Sequence, residues 1–402
     1  MAVPLTPPPA PAPSSPDPPL FPPLHTADIL ACQFSHWYPL FRRISPKATV
    51  IRPIPQEDDF VEYLESDGLF LPEGSGPMGL SELSDSDSDS DSPSSSTASS
   101  TDGADGRPTP SPRQRRQFSF PHLDAEIRSA LARYDGAVFP KLNWSSPQDA
   151  AWMLPGQNLK CQTPADVYLL LKSSDFISHD LDRAFDDCID YEPTSPSLAG
   201  LSLDEEEGER RRRRRWSFEL VLKKWFDMPR SQEWRCFVRE NRLLAISQRD
   251  TTFYDFLQGE QVKANLTTQI SDFWAREIRD KAPLSSYIFD IYLTRDSSRL
   301  FLIDLNPFSP RTDTLLFPPS HLLSLHLSPS SSPDLRVVES EKGGGMPRYA
   351  HNRYPRDVVE LSEGQSVAEF AREWVGRVAE ASVSNEEEKG KREQREEERI
   401  GR

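Results

Sequence analysis

The sequence predicts an α+β fold, and three observations carry that reading. Segments such as FPHLDAEIRSALARY (120–134) repeat their apolar residues at helical spacing. Two pairs of strand-like runs, EWRCFVREN with RLLAISQRD and YIFDIYL with RLFLIDLNPF, follow each other closely enough to form antiparallel hairpins. There is no internal repeat. Helices mixed with hairpins in this way point to α+β rather than to a regularly alternating parallel sheet.

Taken in order, residues 1–25 form a Pro-rich tail, PLTPPPAPAPSSPDPPLFPP, which cannot pack a core and reads as disordered polyproline. It has no basic n-region and no continuous apolar h-region, so it does not read as a signal peptide. Residues 26–73 begin the folded domain, with ILACQFSHWYPLFRRI, a strand in TVIRPIP and a short amphipathic helix in EDDFVEYLESDGLFLP. Residues 74–117 read as a disordered acidic Ser/Asp insertion, because almost no apolar side chain is present to offset chain entropy. Its serines alternating with aspartates would suit an acid-directed kinase.

The core of the fold is placed at 118–317. After the helix at 120–134 come a strand in GAVFPKLNW (136–144) and a helix start at Thr163-Pro-Ala-Asp166, with a hydroxyl cap, proline at the first position and an acid three residues on. The helix VYLLLKSSDFI follows, then a loop at 199–215 read as disordered. That loop holds the arginine run 210–215, but five acids lie just before it, so it reads as a polyampholyte rather than an RNA contact. FELVLKKWF (218–226) is a strand, a tight turn falls at Asn241-Arg242, and FYDFLQGEQVKANLTTQISDFWAREI is helical. Residues 318–360 read as an irregular insertion, 361–382 as a C-terminal helix containing VAEFAREWVGRVAEA, and 383–402 as a charged tail.

A formal charge of −16 argues against general nucleic-acid binding, which needs a positive field. No run approaches the ~18 apolar residues of a membrane span. The cysteines, Cys32, Cys161, Cys188 and Cys236, are scattered without a CxxC pair, which suggests a reducing, cytoplasmic setting.

The last hairpin carries the most chemistry. If Asp290 lies opposite Asp304, the loop is residues 295–299, and Asp290, Asp304 and Asn306 share one face with Leu302. Phe289, Ile291, Leu293, Phe301, Ile303 and Leu305 then make an apolar face. Carboxylates directly across a ladder repel. A magnesium ion bound through their oxygens resolves the conflict, with phosphate and water completing its shell. The alternative is that one aspartate faces solvent or pairs with an arginine such as Arg299 or Arg311. Lys141 in PKLNWSSPQD, with Asn143, Ser145 and Ser146, could hold phosphate oxygens, although Asp149 would oppose an anion. Lys223 and Lys224 sit beside Val221, Leu222 and Trp225, where lysine stems commonly snorkel. Glu233 and Arg235 alternate with Trp234 and Cys236 and read as an ion-paired polar face.

ACQFSHWYP, VFPKLNWSSPQDAAW, LKCQTPADVYLLLKSSDFI, FELVLKKW, EWRCFVREN, AISQRD, FDIYL and LIDLNPFSPRTDTLLF closely resemble the cell division cycle protein 123 family. The resemblance implies an ATP-grasp-like fold, two α+β subdomains clamping ATP and Mg2+. It also implies a monomeric, cytoplasmic assembly chaperone that binds the C-terminal part of the gamma subunit of eukaryotic translation initiation factor 2 and supports translation and the cell cycle. Carried over, ATP would meet Lys141, Asn143, Trp144 and Ser146. Leu222, Lys223 and Lys224 would border adenine through backbone groups, Glu233 would take the ribose, and Ser247 and Arg249 would lie near the phosphates. Asp290, Asp304 and Asn306 would hold the metal. An active ATP-grasp ligase or phosphotransferase is the alternative, but no acceptor site is visible and NWSSPQDA lacks the glycines of many phosphate loops.

Overall fold

The computed structural model describes residues 19–76, 117–154, 156–191, 216–328, 330 and 332–340. The Pro-rich stretch up to residue 18, most of the Ser/Asp insertion, the arginine run and the expected helix at 361–382 lie outside the described residues. As expected, the chain mixes helices with antiparallel sheet. Helices α1 (Thr26–Ala31) and α2 (Phe34–Phe41) lead to strand β1 (Ala48–Ile51) and helix α3 (Glu57–Glu65). Helix α4 (Pro121–Arg133) has proline in its first turn, where the missing amide costs nothing, and runs into β2 (Val138–Leu142). A 3-10 turn at Gln148–Met153 precedes α5 (Pro164–Lys172), which starts at the expected capping box of Thr163 and Asp166.

The expected continuous helix through VYLLLKSSDFI is broken. A second helix, α6 (Asp175–Asp182), begins at Ser174, whose Oγ accepts from the Ile177 amide. Consecutive serines at 173–174 compete for the backbone, and Ser174 serves better as a cap than as a helix interior.

Strand β3 (Leu220–Lys224) lies between β1 and β2 in an antiparallel three-stranded sheet. Leu220, Leu222, Val138 and Leu142 point to a core shared with α3, α4, α5 and α6. Val221 points the other way, and by alternation Lys223 and Lys141 share its face.

The second sheet runs β7-β6-β4-β5-β8, built from β4 (Glu233–Arg239), β5 (Arg242–Gln248), β6 (Tyr287–Leu293), β7 (Leu300–Pro307) and β8 (Asp334–Arg336). All neighbours are antiparallel except β5 and β8. The β4–β5 turn centres on Glu240 and Asn241, both at positive φ, one residue earlier than expected. Two such residues match the primed turn that suits strand twist. The helical stretch after β5 also starts later than read. A 3-10 turn (Asp255–Leu257) comes first, α7 (Glu260–Phe273) begins after Gly259, and a π-turn closes it at Trp274–Ile278. Within 318–360, expected to be irregular, lie α8 (Pro319–Leu327) and β8.

One face of the five-stranded sheet packs Trp234, Cys236, Ile246, Phe289, Ile291, Leu302 and Leu305 against α2 and α7. The other face is apolar only toward Phe237, Ala245, Ile288, Phe308 and Phe317. Its remainder is charged and turns toward the lysines of the smaller sheet.

Candidate functional site

The β6–β7 hairpin pairs Asp290 with Asp304, the register expected from the sequence. Below that pair the register shifts. Ile291 lies opposite Leu302 rather than Ile303, so Ile303 is a bulge residue, and the loop is residues 294–299. An extra residue reverses alternation from that point. Leu302 therefore enters the apolar core, fully buried, while Phe301 and Ile303 leave the face assigned to them and are only half-buried. Asp290, Asp304 and Asn306 remain on one face, with Leu302 on the other.

The bulge also frees a carbonyl. Lys223 Nζ donates to Ile303 O at 2.7 Å, and Lys141 Nζ lies 2.6 Å from both carboxylate oxygens of Asp304. Two lysines of the small sheet thus meet β7 of the large one. Lys141 is 1% exposed and Lys223 4%, so neither snorkels to solvent. Burial lowers the Lys223 ammonium to about 8, with Asp304 opposing the fall.

Arginines hold Asp290, though not the ones first considered. Arg235 on β4 grips it in a fork, Nε–Oδ1 at 2.7 Å and Nη2–Oδ2 at 2.8 Å, and Arg249 Nε adds a contact at 3.2 Å. Arg249 Nη1 also reaches Glu233 at 3.2 Å. Burial opposes ionisation of Asp290, but Arg235 and Arg249 overcome it and hold the carboxyl down to about 2. Burial raises Glu233 despite Arg249 beside it. Arg311 instead pairs with Asp187 and Asp186. The polar face read for Glu233 and Arg235 is ion-paired, as expected.

The other predicted residues divide. Asn143 is fully buried and ties β2 to β3, accepting from the Glu219 amide and donating to Ser217 O. Trp144 donates its indole N–H to Ile29 O and packs edge-on to Phe185, while Ser146 stays half-buried. Ser247 is buried behind Arg235, donating to Gln248 O. Leu222 belongs to the apolar core, and Lys224 turns to Asp135. Because β3 is a central strand paired on both sides, a backbone contact to adenine from Leu222–Lys224 has few groups left to use. What β3 offers toward the large sheet is the Lys223 ammonium, which donates to Ile303 O. Asn306 is half-buried, with no side-chain hydrogen bond among the described residues.

Four cations (Lys141, Lys223, Arg235 and Arg249) thus surround three carboxylates (Glu233, Asp290 and Asp304). The surplus positive charge suits an anion. The hairpin's two carboxylates and amide are oxygen groups of the kind a hard divalent cation takes. Here, however, Asp304 is held by Lys141 and Asp290 by Arg235 and Arg249, and no cluster of three or more His, Cys, Asp or Glu among the described residues is arranged to hold a metal. Sequence reasoning misread one carboxylate beside the site and missed another. Asp149 does not oppose an anion but accepts from Ser174 Oγ and the Asp175 amide. Asp180, on α6, accepts from the amides of Trp144 and Ser145. Nothing in DFISHDLD marks Asp180 as more than a helix-surface acid.

The D123 family model matches residues 37–362. The chain belongs to the D123 family. Within that family it is 39% identical over 355 residues to the translation initiation factor eIF2 assembly protein of Schizosaccharomyces pombe, covering 86% of this chain and 94% of that one. It is 33% identical to cell division cycle protein 123 of Candida glabrata, with coverage of 88% and 92%. The solved structure of Cdc123 from Schizosaccharomyces pombe superposes with a TM-score of 0.58 at 36% identity, covering 79% of this chain and 99% of that one. Among the described residues no helix is long and apolar enough to cross a membrane.

Proposed function

We propose that this chain is an assembly chaperone for eukaryotic translation initiation factor 2 that binds ATP with Mg2+ between its two sheets. The observation that carries the assembly role is the near full-length match to proteins named for that role. The nucleotide part rests on the cation and carboxylate cluster, where the two sheets face each other like the halves of an ATP-grasp clamp. Lys141, Lys223 and Arg249 would balance phosphate charge, and Glu233 would accept from ribose hydroxyls. Asp290, Asp304 and Asn306 would hold magnesium, which would supply positive charge to offset the phosphates. With a ligand bound, Lys141 would exchange one Asp304 oxygen for a phosphate oxygen. Arg235 would keep Asp290 aimed from behind.

The partner we propose is the C-terminal part of the gamma subunit, met in the cytoplasm by a monomeric chaperone. To test this, the chain is incubated with separately purified gamma and alpha subunits, with and without Mg2+ and ATP, and both heterotrimer yield and phosphate release are measured. The proposal predicts nucleotide-dependent joining without sustained turnover. Sustained phosphate release coupled to a covalent product would replace it with the ligase reading, and joining unaffected by the chain would end the assembly role.

A further inference from the structure

Loop and helix brace each other beside Lys141. Asp149, just past the loop that follows β2, accepts from Ser174 Oγ at 2.6 Å and the Asp175 amide at 2.7 Å, so the loop side closes the first turn of α6. Later in the same helix, Asp180 reaches back. Its Oδ2 accepts from the Trp144 amide at 3.0 Å and the Ser145 amide at 2.7 Å, and its Oδ1 accepts from Ser145 Oγ at 2.6 Å. Asp180 is 1% exposed. A buried carboxylate is unfavourable unless its oxygens are satisfied, and here three donors from a two-residue stretch satisfy it. Consecutive backbone amides converging on one oxygen form an anion nest, so the carboxylate dictates the backbone path of Trp144 and Ser145. That path starts at Lys141, whose ammonium bonds Asp304, and passes through Asn143 to Ser146.

We propose that Asp180 is a positioning residue for the nucleotide site, fixing the loop that carries Asn143, Trp144 and Ser146 through its hold on two successive amides. The proposal rests on the nucleotide reading above. Asp180 touches neither phosphate nor metal. It acts through the backbone alone, and its side-chain oxygens set the loop's distance from Lys141. Burial pushes its carboxyl up to about 6 even with these donors and Lys141 nearby, so an amide of the same shape is a sound replacement. In Asp180→Asn the amide oxygen can still accept both backbone N–H groups, and its NH2 can donate to Ser145 Oγ. In Asp180→Ala the two amides lose their buried acceptor.

Two readouts on the full chain test this. Hydrogen exchange without nucleotide should show the Trp144 and Ser145 amides protected in wild type and in Asp180→Asn, and faster in Asp180→Ala. Calorimetry with ATP and Mg2+ should show Asp180→Asn within about twofold of wild type and Asp180→Ala weaker by about tenfold or more, as expected when buried donors are orphaned. Asp180→Ser, which keeps a polar group but is too short to accept from both amides, takes the place of Asp180→Ala if that variant folds poorly, with the same two results expected. Wild-type affinity in a folded Asp180→Ala, unchanged exchange at 144–145, or a loss in Asp180→Asn equal to that in Asp180→Ala would each overturn the positioning role. Absence of ATP binding in the wild-type chain would instead remove the nucleotide reading itself, with the role built on it.

Discussion

Asp304 and Lys141 show how far a single pair constrains what a mutation can report. The sequence suggests that removing the Asp304 carboxylate would abolish magnesium-dependent binding and leave the fold intact. The structure alters the second half, because Lys141 is buried and has Asp304 as its ionic partner. Asp304→Ala would strand that ammonium, and breaking a buried pair costs roughly 3–5 kcal/mol. Asp304→Asn keeps an oxygen for Lys141, so chemical denaturation should show the alanine variant clearly less stable than the asparagine one. Equal stabilities would mean the pair is not held as described. Lys223 predicts the opposite. Its ammonium lies below its ordinary pKa, so the unfolded chain binds more protons between about pH 8 and 10.5, and stability rises with pH through that window. Lys223→Met should therefore keep or raise the thermal midpoint at neutral pH while weakening ATP binding about tenfold or more. A large loss of stability would assign Lys223 to structure. Asp290 is held low by two guanidiniums. It stabilises the folded state above its unfolded pKa of about 3.9, and that contribution, on the order of 2 kcal/mol, is lost as pH falls toward about 2. An acid titration of Asp290→Asn should lack that part of the slope.

At the scale of elements, the β6–β7 hairpin separates what was legible from what was not. Matching aspartates at even positions gave the Asp290–Asp304 register, because a one-residue slip would have exposed an entire apolar face. The bulge at Ile303 was not legible. Phe301, Leu302 and Ile303 are all apolar, so pattern alone could not say which of them the extra residue displaced. A simple test follows. Leu302→Ala should cost about 2–5 kcal/mol as a buried truncation, and Ile303→Ala, half-buried in the bulge, much less. The reverse order in urea denaturation would restore the unbulged register. The capping box at Thr163 and Asp166 was legible because its signal is local. The break at Ser173–Ser174 was less so, since Asp149, 25 positions away from Ser174 in sequence, helps to decide it.

For the whole molecule, strand order brings Lys141 and Lys223 from one sheet against Asp290, Asp304, Arg235 and Arg249 from the other, across sequence separations as large as 163 residues. The sequence identified most of these groups but not their pairing, because a lysine in VLKKW looks the same whether it reaches solvent or a bulge carbonyl. Conversely, Asn143 and Trp144, expected at a ligand, spend their polar atoms on the protein's own backbone. The charged cluster where the sheets meet remains the centre of the account. The most direct test is calorimetric titration of ATP into the full chain, with and without Mg2+, repeated for Asp304→Asn. The account predicts one ATP per chain, tighter with magnesium, and an affinity reduced about tenfold or more in the variant. Binding indifferent to magnesium, or wild-type affinity in Asp304→Asn, would contradict it.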